Sequence, residues 1–281
     1  MIYVSTGGFR QENGALATDR LLKAGIDCIE LSGGSYSKNL LESLKALKSR
    51  VSFQIHNYFP PPEHPFVLNL GSLDESIGQR SVAHVEQALQ WCGALGADKY
   101  SFHAGFLLDP RVDQLGRRIT HQGLFDRRES IAIFVDRVVR LSKLASQVGV
   151  KLMIENNVLS DKNAREFSCN PLLMCDPQEC EDVMAMVPDN VGLLIDVAHL
   201  KVSANSLKFD PAKMFEICEE RIVGHHLSDN GGLEDSNLPF DNDAWFWPYI
   251  SNKIDYYSIE VYGCSTEVLL QQMHLVRSKI Q

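Results

Sequence analysis

Long apolar runs are missing from this chain: no stretch approaches the roughly 20 residues that a membrane-spanning helix needs. Positive charge is also in deficit. Lys and Arg number 27 against 36 Asp and Glu, for a formal net charge of −9, whereas proteins that hold nucleic acid by its phosphates normally show the opposite balance. Bulk electrostatics therefore speaks against DNA or RNA as a partner. Paired cysteines are lacking too. The seven cysteines, at positions 28, 92, 169, 175, 180, 218 and 264, are odd in number and scattered, so a disulfide framework is not expected. The run SCNPLLMCDPQEC (168–180) has no second CxxC-type pair to complete a structural zinc site, and reads as buried, reduced thiols. Linkers, low-complexity segments and internal repeats are likewise absent. The segment MIYVSTGGFR reads as a strand rather than a secretion signal, and the expected location is the cytoplasm.

What is present is an alternation of short apolar runs with longer amphipathic ones. Candidate strands fall at 2–6, 27–31, 51–56, 99–103, 151–155, 191–196, 222–227 and 256–261. They are rich in β-branched residues and mostly apolar on both faces, as parallel strands covered on both sides should be. The stretch 73–96 keeps apolar residues at helical spacing and stops at Gly96. Asp176-Pro177 and Asp210-Pro211 each place a capping carboxylate before a proline at the first helical position, and Ser265 can cap a last helix over 265–280. Eight strands each followed by a helix define an α/β protein, a single (β/α)8 TIM barrel with residues 1–281 as one domain.

In such a barrel the chemistry sits at the C-terminal ends of the strands. Those ends carry Glu30, His56-Asn57, His103, Glu155-Asn156-Asn157, Asp196 with His199, His226 through Asp229, and Glu260. One carboxylate after a strand is an ordinary capping or loop residue. Seven strand ends of eight carrying His, Asp or Glu is another matter, because converging buried carboxylates need a cation or a partner. Glu155, Asp196, His226 and Glu260 close strands five to eight. Three carboxylates and one imidazole suit Mn²⁺, Mg²⁺, Co²⁺ or Zn²⁺ with positions left open for water or substrate. Neighbouring strand residues face opposite ways, so His225 and His226 cannot both serve this site; His226 is the ligand candidate and His225 belongs to the helix layer.

The motifs IENN (154–157), LLIDVAHL (193–200), HHLSDN (225–230) and SIEVYG (258–263), one per strand in that order, resemble the xylose-isomerase-like barrel superfamily of sugar isomerases, epimerases, dehydratases and endonuclease IV. The resemblance covers essentially the whole chain. It implies one metal held by Glu155, Asp196, His226 and Glu260, with His199 contacting a substrate hydroxyl or, as in endonuclease IV, a further zinc. FVLNLGS (66–72) and SFHAGF (101–106) look like endonuclease IV, in which the places of His56 and His103 are zinc ligands. Two departures stand out. Asp235-Ser236-Asn237 replaces an Asp-x-His pair, and Gly231-Gly232 offers no arginine of the tagatose-epimerase type.

Two functions follow from different classes. The first is a metal-dependent isomerase or epimerase of a sugar or sugar-phosphate-like substrate, working through a metal-stabilised enediolate. Glu155 and Glu260 would be its acid and base and His199 a catalytic positioning group, while His56, His103, Asn157 and Asp229 would contact the substrate. The long connections after strands three and four, with Tyr58, Phe59 and Phe66, could cover the mouth as a lid. The second is a zinc phosphodiesterase acting on abasic DNA. The loop carrying Arg111, Arg117, Arg118, His121, Arg127 and Arg128 reads equally as a solvated surface or as a grip for an anionic group. A non-enzymatic binding barrel fits the strand ends less well than either. The run Trp245-Phe246-Trp247-Pro248 is open between core, pocket wall and the contact of a homo-oligomer.

Overall fold

The computed structural model describes residues 1–120 and 122–280. Eight parallel strands close into a barrel in chain order: β1 (Ile2–Ser5), β2 (Cys28–Leu31), β3 (Ser52–His56), β4 (Lys99–His103), β5 (Lys151–Glu155), β6 (Val191–Asp196), β7 (Ile222–Leu227) and β8 (Tyr257–Ile259). Pairing of β1 with β8 seals the ring. Around it run α1 (Gly14–Lys23), α2 (Leu40–Lys45), α3 (Glu75–Leu95), α4 (Arg127–Gln147), α5 (Asp161–Glu166), α6 (Pro177–Met186), α7 (Val197–Leu207), α8 (Ala212–Cys218) and α9 (Thr266–Ile280). Among the described residues no helix is long and apolar enough to cross a membrane.

The caps fall where the residue types ask for them. Asp74 accepts the N–H groups of Ser76 and Ile77 at 2.9 and 3.1 Å to open α3, and Gly96 closes it with φ +78°, a conformation that costs glycine little. Asp176 accepts from Glu179 N–H at 3.1 Å, ahead of Pro177. At the second Asp-Pro pair the helix proper starts one residue late, at Ala212, although Asp210 still accepts its N–H at 3.0 Å.

One expectation needs correcting. The β7–β8 connection has no α-helix and carries only a 3₁₀ turn at Trp247–Tyr249, while β5 and β6 are each followed by two helices. Pro239, Pro248 and the Asp- and Asn-rich sequence between Asp229 and Asp243 deny this connection a continuous helical run. Phe246 is fully buried in the main core, with Trp245 and Trp247 packed against it, so the aromatic run is core.

Strand alternation sorts the side chains into two populations. Ile29, Phe53, Ile55, Phe102, Ile154, Leu193 and Ile195 point outward and share one core with Leu21, Val85, Phe134, Val138 and Leu200 of the helices. Tyr3, Met153, Leu194 and Tyr256 form a separate cluster. Tyr3 lies on β1, Met153 and Leu194 on β5 and β6 across the ring, and Tyr256 just ahead of β8, so they meet only inside the barrel and plug its floor. The next inward layer, toward the C-terminal ends, is polar: Ser5, Glu30, His56, Glu155, Asp196, His226 and Glu260 are all buried.

Candidate metal centre at the barrel mouth

That polar layer is where the four expected ligands converge. Glu155, Asp196 and His226 come from the C-terminal ends of β5, β6 and β7, and Glu260 follows β8 directly. Each offers one ligand atom, and these atoms all lie within 4.8 Å of one another. His226 Nδ1 is 3.1 Å from Glu155 Oε1, 3.6 Å from Glu260 Oε2 and 4.0 Å from Asp196 Oδ2. Ser5 Oγ donates to Glu260 Oε1 at 3.1 Å. Asp196 divides its oxygens: Oδ1 accepts the His199 N–H at 2.7 Å and caps α7, while Oδ2 is buried without a hydrogen-bond partner, as is Glu155 Oε2.

The electrostatics is that of an acid cluster short of positive charge. Burial, with the Glu30, Glu155 and Asp196 carboxylates adding to it, pushes Glu260 up to about 8. Burial raises Asp196 to about 6, helped by Glu155 and Asp235. Burial opposes the charge on His226, yet Glu30, Glu260 and Glu155 around it hold its pKa well above the ordinary imidazole value. Glu155 is also desolvated, and the imidazoles of His103, His226 and His56 nevertheless keep it well below the usual carboxylate range. Orphaned buried oxygens within a set of three carboxylates and one imidazole fit a divalent cation, which would supply the missing charge.

His56 and His103 meet the same cluster from the other side. Their Nε2 atoms lie 3.4 and 3.2 Å from Glu155 Oε2, and the three residues form a second group whose ligand atoms are within 4.8 Å. His56 Nδ1 is held at 2.9 Å by Ser101 Oγ, which leaves Nε2 facing Glu155. His199 fixes its ring through Nδ1 to the Asn156 carbonyl at 3.0 Å and turns Nε2 toward Asp235 Oδ2, 3.4 Å away.

Two candidate substrate contacts are occupied elsewhere. The Asn157 amide donates to the Gly105 and Leu173 carbonyls at 2.8 and 3.0 Å and ties loops together. Asp229 accepts from Lys201 Nζ at 2.6 Å and from the Asn230 N–H at 2.8 Å. His225 is buried between Phe215 of α8 and Tyr257, and burial lowers its pKa to about 4. The expected lid aromatics are also committed. Phe59 is fully buried in the main core, Tyr58 stacks on His84 of α3 at 5.4 Å, and Phe66 lies under Arg80. Their apolar surface is better buried on α3 than left over an open mouth. In the basic loop, Arg111 pairs with Asp113 at 3.0 Å, Arg118 with Glu166 and Arg127 with Glu179, so these charges are spent locally; His121 lies outside the described residues. The thiols of 168–180 are free, and burial pushes Cys175 up to about 12.

Three side chains at the site were not among the expected ligands or contacts. Glu30 Oε2 lies 2.9 Å from His226 Nε2, Tyr256 donates its hydroxyl to the same oxygen, and Asp235 reaches His199. Glu30 did stand out as a strand-end carboxylate. Asp235 was visible only inside a loop motif, and Tyr256 had no distinguishing signal.

The closed parallel barrel is a TIM barrel, and the imidazoles and carboxylates gathered at its C-terminal mouth could hold a metal ion. Residues 18–267 match the family model of the xylose isomerase-like TIM barrel, and the chain belongs to that family. Similar solved structures include a D-tagatose 3-epimerase-like protein (TM-score 0.71, 18% identity, 100% of this chain and 99% of that one). The D-psicose 3-epimerase of Clostridium cellulolyticum, solved with D-tagatose, superposes with a TM-score of 0.66 at 16% identity over 99% of this chain and 97% of the other. An IolI protein with a bound zinc atom gives 0.68 at 16% identity, over 99% and 97%. No functionally curated protein matches the sequence. At these identities the likeness establishes the fold alone.

Proposed function

We propose that the protein is a divalent-metal-dependent isomerase or epimerase of a small sugar or sugar phosphate, with Glu155, Asp196, His226 and Glu260 holding the ion. The observation that carries this reading is the convergence of those four buried side chains, two with oxygens lacking any hydrogen-bond partner. Sugar epimerases among the structural neighbours agree with it. A divalent ion would polarise a carbonyl and the adjacent hydroxyl and stabilise the negative charge left when the intervening proton departs. Glu155 and Glu260, on β5 and after β8, approach from different sides of the mouth. One would withdraw the proton from the carbon next to the carbonyl and the other would return a proton to it. Protonation on the opposite face gives the epimer. The Ser5 hydroxyl holds the Glu260 carboxylate in place. His199, its ring fixed by Asn156, would hold a substrate hydroxyl with Nε2.

The test is proton exchange. Metal-replete protein incubated in D₂O with ketopentoses, ketohexoses and their phosphates should place deuterium next to the carbonyl of its substrate, read by proton NMR. Glu155→Gln or Glu260→Gln should lower the rate by at least ~10²-fold, and His199→Ala by less. Turnover with no solvent deuterium would refute the two-glutamate proton transfer.

A second reading is favoured by one observation: His56 and His103 share Glu155 in a group compact enough for another ion. Glu155 belongs to both ligand groups, and a second ion held with His56 and His103 would supply the chemistry for hydrolysis of a phosphodiester, as in abasic DNA. One metal per chain, without incision of an abasic duplex at physiological salt, supports the isomerase. Two or three zinc ions with robust incision would replace it.

A further inference from the structure

The His226 ring is gripped on the side away from the proposed ligands. Its Nδ1 faces Glu155, Asp196 and Glu260, while its Nε2 meets Glu30 Oε2 at 2.9 Å. The same Glu30 oxygen accepts the hydroxyl of Tyr256, whose ring belongs to the apolar floor with Tyr3, Met153 and Leu194. Glu30, Tyr256 and His226 are all fully buried. Water cannot take the place of either bond, so the orientation of the carboxylate is set by the floor of the barrel.

We infer that Glu30 is a positioning residue for the centre: it accepts the Nε2 proton of His226, fixes the tautomer whose Nδ1 lone pair points at the ion, and is itself clamped by Tyr256. Each nitrogen of His226 meets a carboxylate, Nδ1 that of Glu155 at 3.1 Å and Nε2 that of Glu30 at 2.9 Å; with Nδ1 and Glu155 both given to an ion, Glu30 is the partner left for the single proton of the neutral ring. An anion at that position also strengthens the opposite nitrogen as a donor. Glu30, His56 and His226 are close enough to suggest an ion of their own. His226 could give Nε2 to such an ion only by breaking the Glu30 bond; Glu30 Oε2 already accepts two hydrogens, so only the buried, unpartnered Oε1 would be left to bind it, without the imidazole. The geometry favours the orienting role.

This inference rests on the proposed ligation by His226 and not on which reaction follows. The test uses metal-free full-length protein and zinc in chelator competition. Glu30→Gln, which keeps volume and fold but removes the charge, should weaken zinc by about 10–100-fold. Tyr256→Phe should weaken it less, and both should retain the wild-type circular dichroism spectrum. In zinc-loaded, ¹⁵N-histidine-labelled wild type, Nε2 of His226 should carry a proton and Nδ1 should show the shift of a metal-bound nitrogen. Unchanged zinc affinity in both variants, beside a large loss in His226→Ala, would overturn the role of Glu30 and leave the metal centre standing. Loss of one whole equivalent of zinc in Glu30→Gln would also overturn it, because Glu30 would then be a ligand. Wild type that binds no divalent ion would remove this inference together with the proposed function.

Discussion

Acidification should dismantle the centre before it unfolds the protein. A carboxyl with a pKa of about 8, as at Glu260, is protonated roughly ten to one at pH 7 and roughly a thousand to one at pH 5. Displacing that proton therefore costs a ligand about a hundredfold more affinity at the lower pH. Asp196, at about 6, contributes roughly another tenfold over the same interval. Because the two carboxyls share one acid cluster and protonating one eases the other, the fall in apparent metal affinity from pH 7 to pH 5 should lie between about a hundredfold and about a thousandfold. His226, held well above the ordinary imidazole value, adds to the fall in the same direction. Chelator-buffered titrations across this range measure it directly. Calorimetry in buffers of different ionisation enthalpy should show at least one proton released per ion bound at pH 7. An affinity that changes less than tenfold, or binding without proton release, would refute the picture of a buried acid cluster that binds protons in place of metal.

The same pKa shifts act on stability in the metal-free protein. Glu260 holds its proton more tightly folded (about 8) than at its ordinary value of 4.5, so unfolding releases protons between those limits and stability falls as pH rises through them. Metal-free wild type should therefore lose more melting temperature between pH 5 and pH 8 than Glu260→Gln, whose amide does not titrate. Asp196→Asn should cost most of the bound metal by elemental analysis, while His225→Ala should leave metal content nearly unchanged, since His225 packs on Phe215 in the helix layer. Phe246→Ala should cost about 3–5 kcal/mol in urea unfolding, because the ring is fully buried in the main core.

The strands were legible because each is a short apolar run with turn residues on either side, and seven of the eight expected spans lie within a residue of those observed at each end. Glu155, Asp196, His226 and Glu260 were legible because a polar residue ending such a run has one place to go in a barrel. The helix after β7 was overread. Regular alternation elsewhere suggested it, and the local prolines argued against it. The partnership of Glu30 with His226 spans 196 residues and that of Tyr256 with Glu30 spans 226. Nothing in the local pattern of either segment encodes a bond made across the barrel. Asn157 and Asp229 sit at the right height, and their amide and carboxylate are turned to loop carbonyls and Lys201 by contacts only the folded chain reveals.

Asp196 belongs at once to the acid cluster and to the first turn of α7, whose N–H at His199 it accepts. That places the positive end of a helix dipole beside a mouth crowded with carboxylates, a standing partial charge that no titration removes. The amide of His199 thereby becomes an internal gauge. Its hydrogen-exchange rate should follow the grip of Asp196, so a change in what occupies the mouth should be readable as fraying at the first turn of α7.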